Sequence, residues 1–61
     1  MFEIVIEHWN REEAERFTLA SRDAAYTVYK TLVAVCLEEI CDVETVQLIN
    51  PTGDEISVCR F

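Results

Sequence analysis

From Met1 to Trp9 the chain alternates: Phe2, Ile4, Ile6 and His8 take one face of an extended segment, and Glu3, Val5, Glu7 and Trp9 take the other. A period of two is that of a strand with one buried face and one mixed face. Asn10-Arg11-Glu12-Glu13 is polar and turn-like, and alternation resumes over Ala14 to Ala20, with Phe17 and Leu19 predicted inward and Arg16 and Thr18 outward. These two segments predict a hairpin. The period then changes. From Ser21 to Cys41, at about 100° per residue, Ala25, Val28, Tyr29, Leu32, Val35, Cys36 and Ile40 share one side of a helical wheel, opposite Asp23, Thr27, Lys30, Thr31, Ala34 and Glu38. Ser21 stands where an N-cap hydroxyl accepts from the first turn, and Asp23 places negative charge where the helix dipole favours it. Beyond the helix, Val43 to Ile49 and Ile56 to Phe61 predict two more strands, with Val46 and Leu48 facing Ile56 and Val58. The connection Asn50-Pro51-Thr52-Gly53-Asp54 carries the turn signal: Pro51 presets φ for a type I turn, and Gly53 takes the left-handed position after it.

The element order is therefore ββαββ. It predicts an α+β fold in a single domain over residues 1–61, one helix packed across a four-stranded sheet made of two β-hairpins. The hairpins meet either through the second and third strands or through the first and fourth. If the second and third strands are parallel in one sheet, the crossover through the helix is right-handed.

Two features of the helix do not follow from local stability. Glu38, Glu39 and Asp42 gather carboxylates at its C-terminal end, where a cation is worth about 0.3–1 kcal/mol and an anion is unfavourable. The apolar arc is also wide, because Tyr26, Val33 and Leu37 extend it round one flank. They are either half-exposed residues of the ordinary kind or a surface covered by a second subunit or a partner. With Trp9 among the charges of the first strand, Tyr26, Val33 and Leu37 are the apolar contacts expected of a homodimer.

Charge sharpens this picture. The chain has twelve acidic and five basic residues in 61, a formal net charge of −7. A helix running back along the second strand returns Glu38, Glu39, Asp42 and Glu44 to the end where Glu12, Glu13 and Glu15 stand, answered locally by Arg11 and Arg16. Asp54 and Glu55 go to the opposite end, near Arg22. The acidic pole is either a solubilising surface or a patch that docks a basic partner. Direct nucleic-acid binding is excluded in expectation, since the basic residues are few and dispersed.

Candidate chemistry is sparse. Three cysteines make no paired framework, and with the single His8 they lack the paired spacings of a zinc site, so no metal or other cofactor is expected. Glu7 points away from His8, leaving no evident relay, and Cys59 as a nucleophile requires the first and fourth strands to be neighbours. Gly53 is the only glycine, which excludes a phosphate loop. No signal-peptide pattern opens the chain, and no apolar run approaches the roughly 20 residues of a membrane span, so a cytoplasmic, non-enzymatic protein is expected. In size, acidity and ββαββ order, though in no motif, the chain resembles the small phage-encoded proteins that inhibit bacterial defence systems, the anti-CRISPR proteins among them. The resemblance implies an inhibitor in the host cytoplasm that presents carboxylates in place of phosphates to a basic site. The alternative is a small homodimeric structural or adaptor protein with a merely solubilising surface.

Overall fold

A computed structural model describes residues 1–38 and 42–61. The elements are β1 (Phe2–His8), β2 (Glu15–Leu19), α1 (Arg22–Glu38), β3 (Val43–Ile49) and β4 (Glu55–Arg60). They form the expected α+β arrangement, one helix against a four-stranded antiparallel sheet. The order is β2-β1-β3-β4. The hairpins thus join through β1 and β3, which is neither of the two junctions expected. Composition explains it: β1 and β3 are apolar enough to be buried on both faces, whereas no residue of β2 or β4 is buried.

The helix starts as written in the sequence. Ser21 Oγ accepts from the Ala24 amide at 3.1 Å, and Ser21 O accepts the first helical hydrogen bond from Ala25 at 3.0 Å. Ala25 and Tyr29 are its buried residues and meet Ile4, Ile6, Val43, Val46 and Leu48 in the core. Each fully buried aliphatic side chain there contributes about 1.5–3 kcal/mol. The stripe sits further round than the wheel predicted. Tyr26 and Val33, expected at the margin, pack on the core, while Val35, expected inside, is 47% exposed. Ile40, and with it the predicted end of the helix at Cys41, lies outside the described residues. The Tyr29 hydroxyl accepts a hydrogen bond from Ser57 Oγ at 3.1 Å, tying the helix to β4.

Two irregularities re-aim side chains. Ile6 faces Val46 and Glu7 faces Thr45, but His8 faces Val43, so Glu44 is an extra residue in β3. Strict alternation with Val46 and Leu48 would send Glu44 beneath the helix; the bulge turns it to the other side and admits Val43 to the core. Between Leu48, which faces Ser57, and Ile49, which faces Glu55, Ile56 is extra in the same way. As a result Val46 and Leu48 oppose Cys59 and Ser57, and Val58, expected beside them, stands opposite Gln47 on the helix-free face. Phe17, expected inward, opposes Ile4 but stays exposed because β2 is an edge.

The connection between β3 and β4 closes on Asn50. Its Oδ1 accepts from the Thr52 and Asp54 amides at 3.2 and 2.8 Å, and its carbonyl accepts from Gly53 N at 2.9 Å. Gly53 has φ +91°, the left-handed region that a side chain disfavours. Among the described residues no helix is long and apolar enough to cross a membrane.

Candidate functional site

The chemistry-bearing side chains collect at the end of the molecule where β1 finishes and β2 and β3 begin. His8 is the most enclosed of them, with its side chain 9% exposed. Its Nε2 lies 3.0 Å from Glu15 Oε1, and since a carboxylate only accepts, Nε2 carries the proton of that bond. Nδ1 lies 3.4 Å from Asp42 Oδ1 and has no hydrogen-bond partner. Arg11 Nη1 approaches the same Glu15 oxygen at 3.5 Å. Alternation along β1 sends Glu7 away from His8, as expected, but the strand order supplies carboxylates from two other elements. Both were expected in the acidic pole, but no sequence-local signal placed them beside His8. Trp9 N donates to the Asp42 carbonyl at 2.8 Å, which fastens β1 to the start of β3 just beyond the described helix.

The predicted acidic pole is thereby divided. Glu15 and Asp42 flank His8. Glu12 and Glu44 line a hollow on the helix-free side together with Glu7, Arg11, Arg16 and the buried Val5. Glu13 and Glu38 are exposed and outside both groups, and Glu39 lies outside the described residues. Arg16 pairs with Glu3 at 2.9 Å rather than with the pole, and Arg11 pairs with Glu15. Glu7, Glu12 and Glu44 therefore face solvent with no described base paired to them.

A second hollow adjoins the first and shares Glu7, Glu44 and Gln47 with it. Trp9, Thr45, Arg60 and Phe61 complete it. Trp9 is 60% exposed, while Thr45 is only 9% exposed and its Oγ1 has no partner. Phe61 N donates to the Glu44 carbonyl at 2.9 Å, so the aromatic residue and the bulged acid are fixed to one another. Thr45, Arg60 and Phe61 were not anticipated as site residues. The sequence does carry one clue, the phase slip between Val43 and Val46, which are three apart where alternation would place apolar residues two apart.

Of the apolar contacts expected, Trp9 and Leu37 are open, Leu37 at 70%, whereas Tyr26 and Val33 are half-buried against the chain's own core. Arg22 lies over the Tyr26 ring at 5.4 Å. Cys59 is a half-buried free thiol facing Val46, and β3 separates its strand from β1. The adjacency to His8 that a nucleophile would need is absent. Among the described residues no cluster of three or more His, Cys, Asp or Glu is placed to hold a metal ion. In comparisons with known proteins, the chain matches no family model, no curated protein and no solved structure.

Proposed function

We propose that this chain is a non-enzymatic interaction module whose helix-free sheet face and adjoining acidic end dock a basic surface of a partner protein, one that otherwise binds nucleic acid. The observation that carries the reading is the bulge in β3, which turns Glu44 out beside Glu7 and Glu12, while Arg11 and Arg16 at the border of the same hollow are paired with Glu15 and Glu3. Three carboxylates without an ion pair among the described residues, in a chain of net charge −7, favour encounter with a positive surface and repel nucleic acid itself. The small phage-encoded inhibitors that the chain resembles imply the same mode, carboxylates standing in for phosphates in the cytoplasm of a host.

The test is capture from nuclease-treated lysate on the immobilised chain, with Glu7→Gln/Glu12→Gln/Glu44→Gln beside the wild type. Retention of a nucleic-acid-binding protein should be lost in the triple variant, in added salt, and in competition with nucleic acid. Retention that survives all three would refute the reading. A homodimer is the second reading, favoured by the exposure of Leu37 and Trp9. Sedimentation over a range of concentrations decides it, because a one-chain mass throughout removes it.

A further inference from the structure

Thr45 presents a chemical anomaly. It lies on the face that no helix covers, yet it is nine-tenths buried, and its hydroxyl oxygen has neither donor nor acceptor. A buried hydroxyl without a partner is unfavourable, and such a group is met by a water, an ion or a ligand. Thr45 stands in register with Glu7 on β1 and Arg60 on β4, and the bulge sets Glu44 next to it. The hollow above it has two carboxylates, one unpartnered hydroxyl and the exposed indole of Trp9, with Phe61 at its border packed on the core. Carboxylates and a hydroxyl oxygen accept hydrogen bonds from a cation, and aromatic faces attract one.

We propose that this hollow is a slot for the guanidinium of a single arginine side chain presented by the partner protein. The proposal rests on the docking function above and names the group that is read. Among cationic side chains, arginine fits the inventory best. Its planar fork of N–H donors serves Glu7 and Glu44 together and reaches Thr45 Oγ1, which is screened from solvent in the free chain, when the flexible Arg60 side chain swings aside, while its flat face stacks on an indole. A lysine ammonium has the charge but neither the plane nor the fork. The chain's own Arg60 borders the slot and has no ion pair among the described residues. Its positive charge opposes the incoming guanidinium, so the rim carries a brake on affinity.

Trp9 is the only tryptophan in the chain, so its emission reports on this slot directly. The full chain is titrated with a blocked Gly-Gly-Arg-Gly-Gly peptide, and in parallel with the lysine and citrulline counterparts. The arginine peptide should give a saturable change with a dissociation constant in roughly the millimolar range, and citrulline, which keeps the shape but loses the charge, should bind about tenfold or more weakly. Glu44→Gln should weaken the arginine peptide about tenfold, and Arg60→Gln should tighten it several-fold. Thr45→Val should weaken it while leaving the melting temperature unchanged, a combination that a purely structural hydroxyl would not produce. Equal binding of citrulline and arginine, an unsaturable response, or indifference to both Glu44→Gln and Arg60→Gln would overturn the slot. Charge-dependent capture from lysate without arginine-peptide binding removes the slot and leaves the docking function. Peptide binding without such capture does the reverse.

Discussion

On the helix side of the sheet, Ile4, Val46 and Leu48 are fully buried beneath Ala25 and Tyr29, and the Tyr29 hydroxyl drawn in with them is bonded to Ser57. On the other side, Val5 and Thr45 are buried with no element above them, screened by long neighbours such as Arg16, Gln47 and Arg60, and the Thr45 hydroxyl is left unbonded. The same two central strands supply both faces. One face has been closed by apolar contact, with the Tyr29 hydroxyl satisfied and, among the described residues, only His8 Nδ1, at its far end, left without a partner; the other has been closed only sideways, by flexible side chains, and leaves the Thr45 hydroxyl unbonded at its centre. A face of the first kind holds the fold together, and a face of the second kind is available for binding.

The largest effect should come from setting truncations on the two faces side by side. Leu48→Ala on the covered face should cost about 2–5 kcal/mol, a large fraction of the stability of a 61-residue chain. Val5→Ala should cost less than half as much, because it removes two carbons against three and the side chains around it are free to collapse into the space. Urea unfolding of both variants measures the ratio, and equal losses would mean that the open face is packed as rigidly as the core. Next in size is the hydroxyl of the covered face. Tyr29→Phe leaves Ser57 Oγ without its acceptor and should lower stability by about 0.5–1.5 kcal/mol.

The acids at the end of the helix should separate into two kinds. Glu38, in the last described turn and unpaired, sits where the dipole disfavours an anion, so Glu38→Gln should raise stability by about 0.3–1 kcal/mol. Asp42, 3.4 Å from His8, should show no such gain on Asp42→Asn. Thermal melts of the two variants compare them, and a gain of the same size in both would mean that proximity to His8 is without energetic consequence. The smallest effect is expected at Thr45: Thr45→Val removes a hydroxyl that bonds to no other group of the protein and should stay within about 0.5 kcal/mol of the parent chain in thermal melts. A clear destabilisation would place that hydroxyl with the satisfied groups of the covered face and dissolve the contrast between the two.

How far the sequence was legible differs between these faces. On the covered side, alternation in β1 and the 3.6-residue period in α1 named Ile4, Ile6, Ala25 and Tyr29 directly, and the cap at Ser21 and the turn at Gly53 followed from the chemistry of single residues. Val35 was misplaced because the wheel fixes spacing and leaves the orientation of the helix on the sheet to packing. On the open side, Glu44 and Glu12 were already in the candidate set, but as members of an undivided pole. Thr45, Arg60 and Phe61 were not in it, since nothing in a strand's own sequence says which strand will lie beside it.

The sequence by itself therefore determined the elements, their order and the net charge, because periodicity, capping and turn formation are local and are written within a few residues. Tertiary structure decided the order β2-β1-β3-β4, and with it that His8 would lie between Glu15 and Asp42 while Cys59 was kept from it by β3. It also decided the side on which Glu44 emerges. That choice rests on one extra residue in a ladder, made when Val43 and Val46 both enter the core although alternation allows only one of them. Burying both valines outweighs regular pairing. The carboxylate displaced by that packing is the one that faces outward on the binding side.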